Sequence, residues 1–430
     1  MDKIKIIGGN PLFGKIYISG AKNTALPIIC ASLLTDEPVI IHNIPFLSDI
    51  KSLNNLLSQL GTQITEEQEE LNGHLTQKIT YCTPKPTSLI APYDFVRKMR
   101  ASYYVLGPLL AKYGHVELSL PGGCAIGARP MDIHLTSLEQ MGANIEIKNG
   151  YVLADIKGKL KGAHVTFHSA SVGATCNILM AATLAEGTTV IENAAKEPEI
   201  ADLINMLISM GAKIEGANTS TLTVYGVDSL HGTEHTIIND RIEAGSYAVA
   251  AAITKGRLEL VNAPAEFLQT PLNILRKAGV KIEMTDNGFI VDAQHADLVG
   301  QDVYTDYYPG FPTDLQAQFM ALMCVSKGAA MVTESIWENR FMHVPELMRM
   351  GANINVHGHA SAIVRGVEKL SAAPVMSTDL RASFALILAG LVAEGETIVN
   401  RVYHLDRGYE HLEEKFKAVG ANIERIKIPD

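Results

Sequence analysis

Cys124 lies in Leu120-Pro-Gly-Gly-Cys-Ala-Ile-Gly-Ala-Arg-Pro-Met-Asp132, where three glycines fall within six residues and predict a loop rather than a core element. Arg129 follows five residues later, and a guanidinium nearby favours thiolate over thiol, which makes this sulfur a candidate reactive group. A free cysteine is more often a small buried hydrophobe. The glycine-rich surroundings favour the reactive reading for Cys124, whereas Cys30, Cys176 and Cys324 sit in apolar helical runs and read as packing residues. A second candidate is Ile18-Ser-Gly-Ala-Lys-Asn-Thr-Ala-Leu-Pro27, a predicted strand end, glycine turn and helix start. Backbone donors at such a start attract anions, and Lys22 adds a full charge. Taken alone, the motif fits a solvated surface lysine better.

Arginines recur at comparable points along the chain: Arg100 before Ala-Ser-Tyr-Tyr, Arg241 in Asn-Asp-Arg-Ile-Glu, Arg340 in Glu-Asn-Arg-Phe, Arg381 in Asp-Leu-Arg-Ala-Ser and Arg407 in Leu-Asp-Arg-Gly-Tyr. Several are predicted to begin helices. Any one of them is best read as a surface ion pair. Their recurrence at one phase of a repeat favours convergence on a shared cleft that takes phosphate and carboxylate groups. In Phe311-Pro-Thr-Asp-Leu-Gln-Ala-Gln-Phe, Thr313 or Asp314 is placed to cap the following helix, or Asp314 to deprotonate a hydroxyl beside the cationic cleft; position alone leaves both open. Cys124 and His134 suggest a cysteine hydrolase only weakly, because no orienting third residue is evident. There is no P-loop and no H-E-x-x-H pair, and Ile7-Gly-Gly-Asn is not a dinucleotide fingerprint, so neither a metal nor a redox cofactor is required.

The elements that must position these groups repeat. Leu60-Gly-Thr-Gln-Ile, Met141-Gly-Ala-Asn-Ile, Met210-Gly-Ala-Lys-Ile, Ala278-Gly-Val-Lys-Ile, Met350-Gly-Ala-Asn-Ile and Val419-Gly-Ala-Asn-Ile share one pattern, with glycines 68–81 residues apart. Each follows a helical periodicity and precedes a β-branched run, so each glycine is predicted to end a helix before a strand. A second echo, a small-residue apolar helix then a glycine then a strand, occurs at Gly114, Gly187, Gly256, Gly328 and Gly395. The Ala-rich helices have little polar face and are predicted to be buried. Six αβ units, three around each of two centres, with helices inside and sheets outward, is the fold expected.

At 430 residues, 47% hydrophobic and 19% charged, the composition suits a soluble globular protein with two or three domains. The charged N-terminus does not read as a signal peptide, and no run reaches the roughly 18 apolar residues of a membrane span, so a cytoplasmic location and no membrane partner are expected. Five scattered cysteines predict neither disulfides nor a thiolate metal site. The net charge of −10 argues against nucleic acid as a partner and requires a local cationic cluster for any anionic ligand.

Gly20-Ala-Lys-Asn, Pro121-Gly-Gly-Cys-Ala-Ile-Gly-Ala-Arg-Pro, Ser171-Val-Gly-Ala-Thr, Phe311-Pro-Thr-Asp, Glu338-Asn-Arg-Phe-Met-His and His404-Leu-Asp-Arg-Gly-Tyr together closely resemble, end to end, the UDP-N-acetylglucosamine 1-carboxyvinyltransferases. These form a branch of the EPSP synthase-like enolpyruvyl transferase family and perform the first committed step of peptidoglycan synthesis. The resemblance implies two inside-out α/β barrels of three units each, residues 22–238 and residues 1–21 plus 239–430, with the active site in the cleft between them and the Cys124 loop as a lid. It implies phosphoenolpyruvate and UDP-N-acetylglucosamine as substrates and no cofactor. Asp314 would accept the proton of the sugar 3-hydroxyl as it attacks C2 of phosphoenolpyruvate, and Cys124 would protonate C3. Lys22, Arg129 and Arg407 would face the phosphate, Arg340 and Arg381 the carboxylate, and Asn23 the tetrahedral intermediate. Arg100, the stretch Arg129, Pro130, Met131, Asp132 and Ile133, then Ser171, Val172 and Gly173, and Ile336 would hold the nucleotide. Some relatives carry a lysine two residues before Ser-Val-Gly where this chain has Ser169, which implies that amides and hydroxyls serve the diphosphate there. Cys124 would also be the target of epoxide antibiotics such as fosfomycin. The same scaffold admits a shikimate 3-phosphate enolpyruvyl transferase, against which Cys124 and Gly20-Ala-Lys-Asn argue, and a silent sugar-nucleotide sensor, against which Cys124, Asp314 and Lys22 argue.

Overall fold

The computed structural model describes residues 2–97, 99–120 and 131–427; Cys124, Arg129, Pro130 and the side chain of Arg100 lie outside the described set. All six glycines of the first series end their helices in the left-handed region, with φ of +104° at Gly61, +93° at Gly142, +102° at Gly211, +102° at Gly279, +91° at Gly351 and +100° at Gly420. Only a residue without Cβ takes this conformation without strain, so the chain reverses from helix to strand there. The second series is less uniform. Gly114, Gly187, Gly328 and Gly395 also have positive φ, but at the third position Lys255 takes the left-handed turn (φ +51°) and Gly256 does not. Gly256 serves a close approach instead, since a Cβ there would lie 2.2 Å from the Leu12 carbonyl oxygen.

The described residues form six separate four-stranded sheets, none of which closes on itself. Every sheet has one plan: a parallel pair at one edge, then two antiparallel neighbours. Six helices follow the parallel edge strands: α1 (Lys22–Ala31), α2 (Leu106–Tyr113), α3 (Val172–Ala182), α4 (Arg241–Ile253), α5 (Gln316–Cys324) and α6 (Leu380–Val392). Every residue of α4 and α5 is buried, so these helices are interior elements with no solvent face. Polar side chains hold the starts of three of them. Ser171 accepts from Ala174 N, Asp240 from Ile242 N and Glu243 N, and Asp379 from Arg381 N and Ala382 N.

In four sheets the helix joins the two strands of the parallel pair. The other two have exchanged partners. Strand Phe13–Tyr17 leads through α1 to Val39–Ile44 but pairs with Arg257–Val261, while Glu234–Thr236 leads through α4 to Arg257–Val261 but pairs with Val39–Ile44. At these two points the chain passes between two compact units, one made of residues 2–19 and 239–427, the other of residues 20–120 and 131–238. Asp240 N donates to Ser19 O (2.8 Å) within the first unit, and Ala21 N to Ile238 O (2.8 Å) within the second. The sheet of residues 374–426 takes its third strand from Lys3–Ile7, which lies between Glu396–Asn400 and Asn422–Ile426. Each unit has its own apolar core; in the first, α4, α5 and α6 pack on one another. Among the described residues no helix is long and apolar enough to cross a membrane.

A Cβ at Gly366 would lie 1.6 Å from the Ser326 carbonyl oxygen, whereas one at Gly358, a hairpin tip with φ +62°, would meet nothing within 4 Å. Gly366→Ala is therefore expected to cost about 3 kcal/mol or to abolish folding, and Gly358→Ala about 1 kcal/mol, as read from thermal and urea unfolding of the purified variants.

Candidate active site

In the unit of residues 2–19 and 239–427, Asp314 lies on the 3-10 turn Thr313–Leu315 that opens α5. It caps nothing. The turn and the helix have Pro312 and Leu315 at their caps, with no side-chain hydrogen bond at either, so the capping reading of Thr313 and Asp314 is corrected. Arg340 Nη2 donates to Asp314 Oδ1 at 2.9 Å, while Arg381 Nη2 and Nε donate to Oδ2 at 2.9 and 3.1 Å. Both guanidiniums are 4% exposed and the carboxylate is 27% exposed, so two nearly buried cations share one anion that still reaches the surface. Burial alone would push the Asp314 carboxyl up; the charges of Arg381 and Arg340 outweigh it and hold the group well below the usual carboxylate range. Ionised and doubly paired, Asp314 is a weak base while both arginines hold it.

The surroundings fix these arginines. Arg381 Nη1 donates to the Tyr409 hydroxyl at 3.2 Å, with the guanidinium 5.5 Å from the ring centre. The same hydroxyl accepts from Gln318 Nε2 (3.2 Å) and bonds Ser246 Oγ (2.9 Å), and Gln318 Nε2 also reaches the Asp314 carbonyl oxygen at 2.9 Å. Arg407 ends the 3-10 turn Val402–Arg407, whose Asp406 is gripped by Arg425 Nη1 and Nη2 at 3.1 and 2.6 Å. Arg100, Arg241 and Arg381 stand at or next to helical starts, as expected of several of these arginines, whereas Arg340 and Arg407 do not. The Arg241 guanidinium lies 5.5 Å from the ring centre of Tyr308.

The other unit holds Lys22 and Asn23 at the start of α1. Lys22 is not solvated. It is 8% exposed, and its Nζ lies 2.7 Å from Oδ2 of Asp49, itself buried. A Cβ at Gly20 would lie 1.7 Å from the Asn43 carbonyl oxygen, so only glycine lets the strand end approach that closely. In the same unit the 3-10 turn Arg100–Val105, the helix start at Met131, Asp132 and Ile133, and the α3 start at Ser171, Val172 and Gly173 are tied together. Asn177 Nδ2 bonds His134 Nδ1 and the Tyr103 carbonyl oxygen, each at 3.1 Å, and the Tyr103 and His134 rings meet edge to face at 5.0 Å. A Cβ at Gly173 would lie 2.5 Å from the Tyr103 hydroxyl oxygen, so glycine makes room for that phenol. Ile336 belongs to the first unit, in the loop that carries Arg340.

Sequence reasoning missed Asp49 and Tyr409. Asp49 looks like an ordinary first-turn acid of the helix Ser48–Leu60 and carries no signal of its own. Tyr409 stands inside Leu-Asp-Arg-Gly-Tyr, where its proximity to Arg407 was the available clue.

A family model described as EPSP synthase (3-phosphoshikimate 1-carboxyvinyltransferase) matches residues 6–416, and the chain belongs to this family of enolpyruvyl transferases. Within it, the chain is 58% identical over 428 residues to the UDP-N-acetylglucosamine 1-carboxyvinyltransferase of Paramagnetospirillum magneticum, covering 99% of each chain. It is 59% identical over 426 residues to the protein of the same name from Granulibacter bethesdensis, covering 99% of this chain and 100% of that one. Among solved structures, the enolpyruvyl transferase NikO of Streptomyces tendae superposes with a TM-score of 0.86 at 23% identity, covering 100% of this chain and 99% of that one. EPSP synthase of Acinetobacter baumannii gives 0.76 at 19%, covering 99% and 100%. Both share the fold.

His343, 1% exposed and three residues beyond Arg340, is pushed down to about 4 by burial and then by the Arg340 charge, against the opposing pull of Asp379. An unfolded chain binds a proton there from about 6.5 downwards while the folded one does not, so the group leaves stability untouched above that range and removes it as pH falls towards 4. The wild type is expected to lose up to about 3 kcal/mol more than His343→Gln between pH 7 and 4, read from urea midpoints across that range.

Proposed function

We propose that this chain transfers the enolpyruvyl group of phosphoenolpyruvate to the 3-hydroxyl of UDP-N-acetylglucosamine and releases phosphate, in the cytoplasm and for peptidoglycan synthesis. The observation that carries the reading is the pair of nearly buried arginines sharing the partly exposed Asp314, in a chain that matches carboxyvinyltransferases of that specificity over nearly its whole length. Each unit is read as an inside-out α/β barrel of three repeats. Its buried helices are the supporting feature.

Phosphoenolpyruvate brings a carboxylate and a phosphate, and preorganised cations stabilise the charge that is redistributed as it reacts. Arg340 and Arg381 turn from Asp314 to the incoming carboxylate. Lys22, Arg129 and Arg407 take the phosphate, and Asn23 holds the adduct. Freed of its two guanidiniums, Asp314 regains basicity and accepts the proton of the sugar 3-hydroxyl as that oxygen bonds to C2. The Cys124 thiol delivers a proton to C3, giving a tetrahedral ketal. The Cys124 thiolate then takes a proton back from C3, the C2 to phosphate-oxygen bond breaks, and phosphate departs with the proton that Asp314 held. Arg100, Arg129, Pro130, Met131, Asp132, Ile133, Ser171, Val172, Gly173 and Ile336 hold the nucleotide. The thiol that gives up its proton is also the group an epoxide such as fosfomycin alkylates.

Phosphate release measured with each acceptor in turn tests the reading: release with UDP-N-acetylglucosamine is expected, and release with shikimate 3-phosphate alone, or with neither, overturns it. Cys124→Ser is expected to lose most turnover near neutral pH while still binding the sugar nucleotide, and Cys124→Asp to keep activity and escape epoxide alkylation. Asp314→Asn is expected to lose at least about a hundredfold in kcat. Because it removes the anion that competes for Arg340 and Arg381, it should bind the unreactive 2-phosphoglycolate about tenfold more tightly, with no gain for ethyl phosphate, by calorimetry.

A further inference from the structure

Five strands of the six repeats reach the same point against their parallel neighbours. The phase is fixed by backbone bonds from Ile18 N to Val261 O, Ile237 N to His42 O, Phe167 N to Glu192 O, Thr305 N to Thr333 O and Ser377 N to Asn400 O. The next residue along is Asn262, Asn43, Asn193, Glu334 and Arg401 respectively. Four of these five take positive φ: Asn43 (+62°), Asn193 (+56°), Asn262 (+62°) and Arg401 (+58°). At two of them the asparagine amide donates across to the facing backbone, Asn43 Nδ2 to Ile237 O and Asn193 Nδ2 to Phe167 O, each at 3.0 Å. Glu334 departs on both counts. It has no left-handed backbone, and it presents an acceptor where Asn43 and Asn193 present a donor.

The Glu334 side chain is 3% exposed and accepts four hydrogen bonds. Oε1 receives Thr305 Oγ1 (3.1 Å), Ile336 N (3.0 Å) and Trp337 N (3.1 Å), and Oε2 receives Thr313 Oγ1 (2.9 Å). Thr305 in turn accepts from Ser335 N (2.9 Å) and bonds the Ser335 hydroxyl through its carbonyl oxygen. One carboxylate therefore joins the turn that carries Asp314 to the loop that carries Ile336 and Arg340. Each of these donors is an uncharged N–H or O–H, so the group fixes geometry and leaves the nearby guanidiniums to Asp314 and the substrate.

We propose that Glu334 is a positioning residue for the transfer reaction: through Thr313 on one side and the Ile336 and Trp337 amides on the other, it sets the spacing between the base and the loop that meets the nucleotide sugar. This rests on the function proposed above. A misplacement of about 1 Å at a reacting pair costs on the order of a hundredfold in rate, so cutting one link should act on the chemical step more than on affinity.

Thr313→Val removes the Oε2 link and leaves the three bonds to Oε1. It is expected to fold with a modestly lowered unfolding midpoint, to lose about tenfold or more in kcat, and to keep the KM for UDP-N-acetylglucosamine within about twofold. Glu334→Gln keeps the Oε1 acceptor, and its amide can donate to a Thr313 hydroxyl turned to accept, so it is expected to retain turnover within about fivefold. Glu334→Leu leaves every donor unpaired and should combine lost turnover with faster hydrogen exchange at the Ile336 and Trp337 amides. Wild-type kcat in Thr313→Val overturns the proposal, as does a Glu334→Gln variant as slow as Glu334→Leu. An inactive wild-type protein instead removes the underlying transferase reading, so the two failures are told apart.

Discussion

Two guanidinium groups cannot be taken out of water without an anion at hand, because desolvating each ion costs several kcal/mol before any partner is counted. Asp314 is that anion for Arg340 and Arg381, and much of the unit of residues 2–19 and 239–427 is arranged around the three side chains. The α6 start positions Arg381 and the turn before α5 positions Asp314, while Tyr409 and Gln318 join the two from beneath. The Asp314 carboxylate keeps partial exposure, whereas both arginine side chains are nearly buried. The other unit holds a like pairing, of Lys22 with Asp49, so these three nearly buried cations share two carboxylates.

Repetition explains how few kinds of element are needed. Each repeat ends its outer helix on a left-handed glycine and runs its inner helix through the core, so helix starts of a common phase become the places where polar side chains meet. The repeats were free to diverge at those starts. Ser171, Asp240 and Asp379 cap, Lys22 and Arg381 carry charge, and Glu334 replaces the asparagine of other repeats at the end of its strand. Exchange of Phe13–Tyr17 and Glu234–Thr236 between sheets gives each unit one parallel strand whose helix belongs to the other.

Much of this was legible in the sequence, and the limits have physical causes. The six Gly-Ala-Asn-Ile-like segments mark helix ends because left-handed backbone is a local property that one residue type satisfies. Burial of α4 and α5 followed from their lack of a polar face. Gly256 misled because glycine also serves close packing, and the Lys255 turn beside it has no compositional mark. Repeat phase led to the expectation that five arginines converge, and of these Arg340 and Arg381 meet at Asp314, while position alone left Asp314 open between a cap and a partner of those cations. A cap and an ion pair call for the same aspartate at the same place, and only the direction of the side chain separates them. Asp49, Glu334 and Tyr409 stayed hidden because their partners lie far away along the chain, at a range where spacing carries no information.

The exchange of strands also bears on how a nascent chain acquires its shape. The unit of residues 20–120 and 131–238 needs no strand from beyond residue 238, so it can close while synthesis continues. Strand Phe13–Tyr17 has no sheet until Arg257–Val261 emerges, and Lys3–Ile7 none until Glu396–Asn400 does. At ribosomal rates this leaves the earliest residues unpaired for tens of seconds. Those first two strands include Ile4, Ile6 and Ile16, which are fully or almost fully buried at the end. Strands made early are thus among the last to find shelter, and during that interval they are the segments most in need of a chaperone.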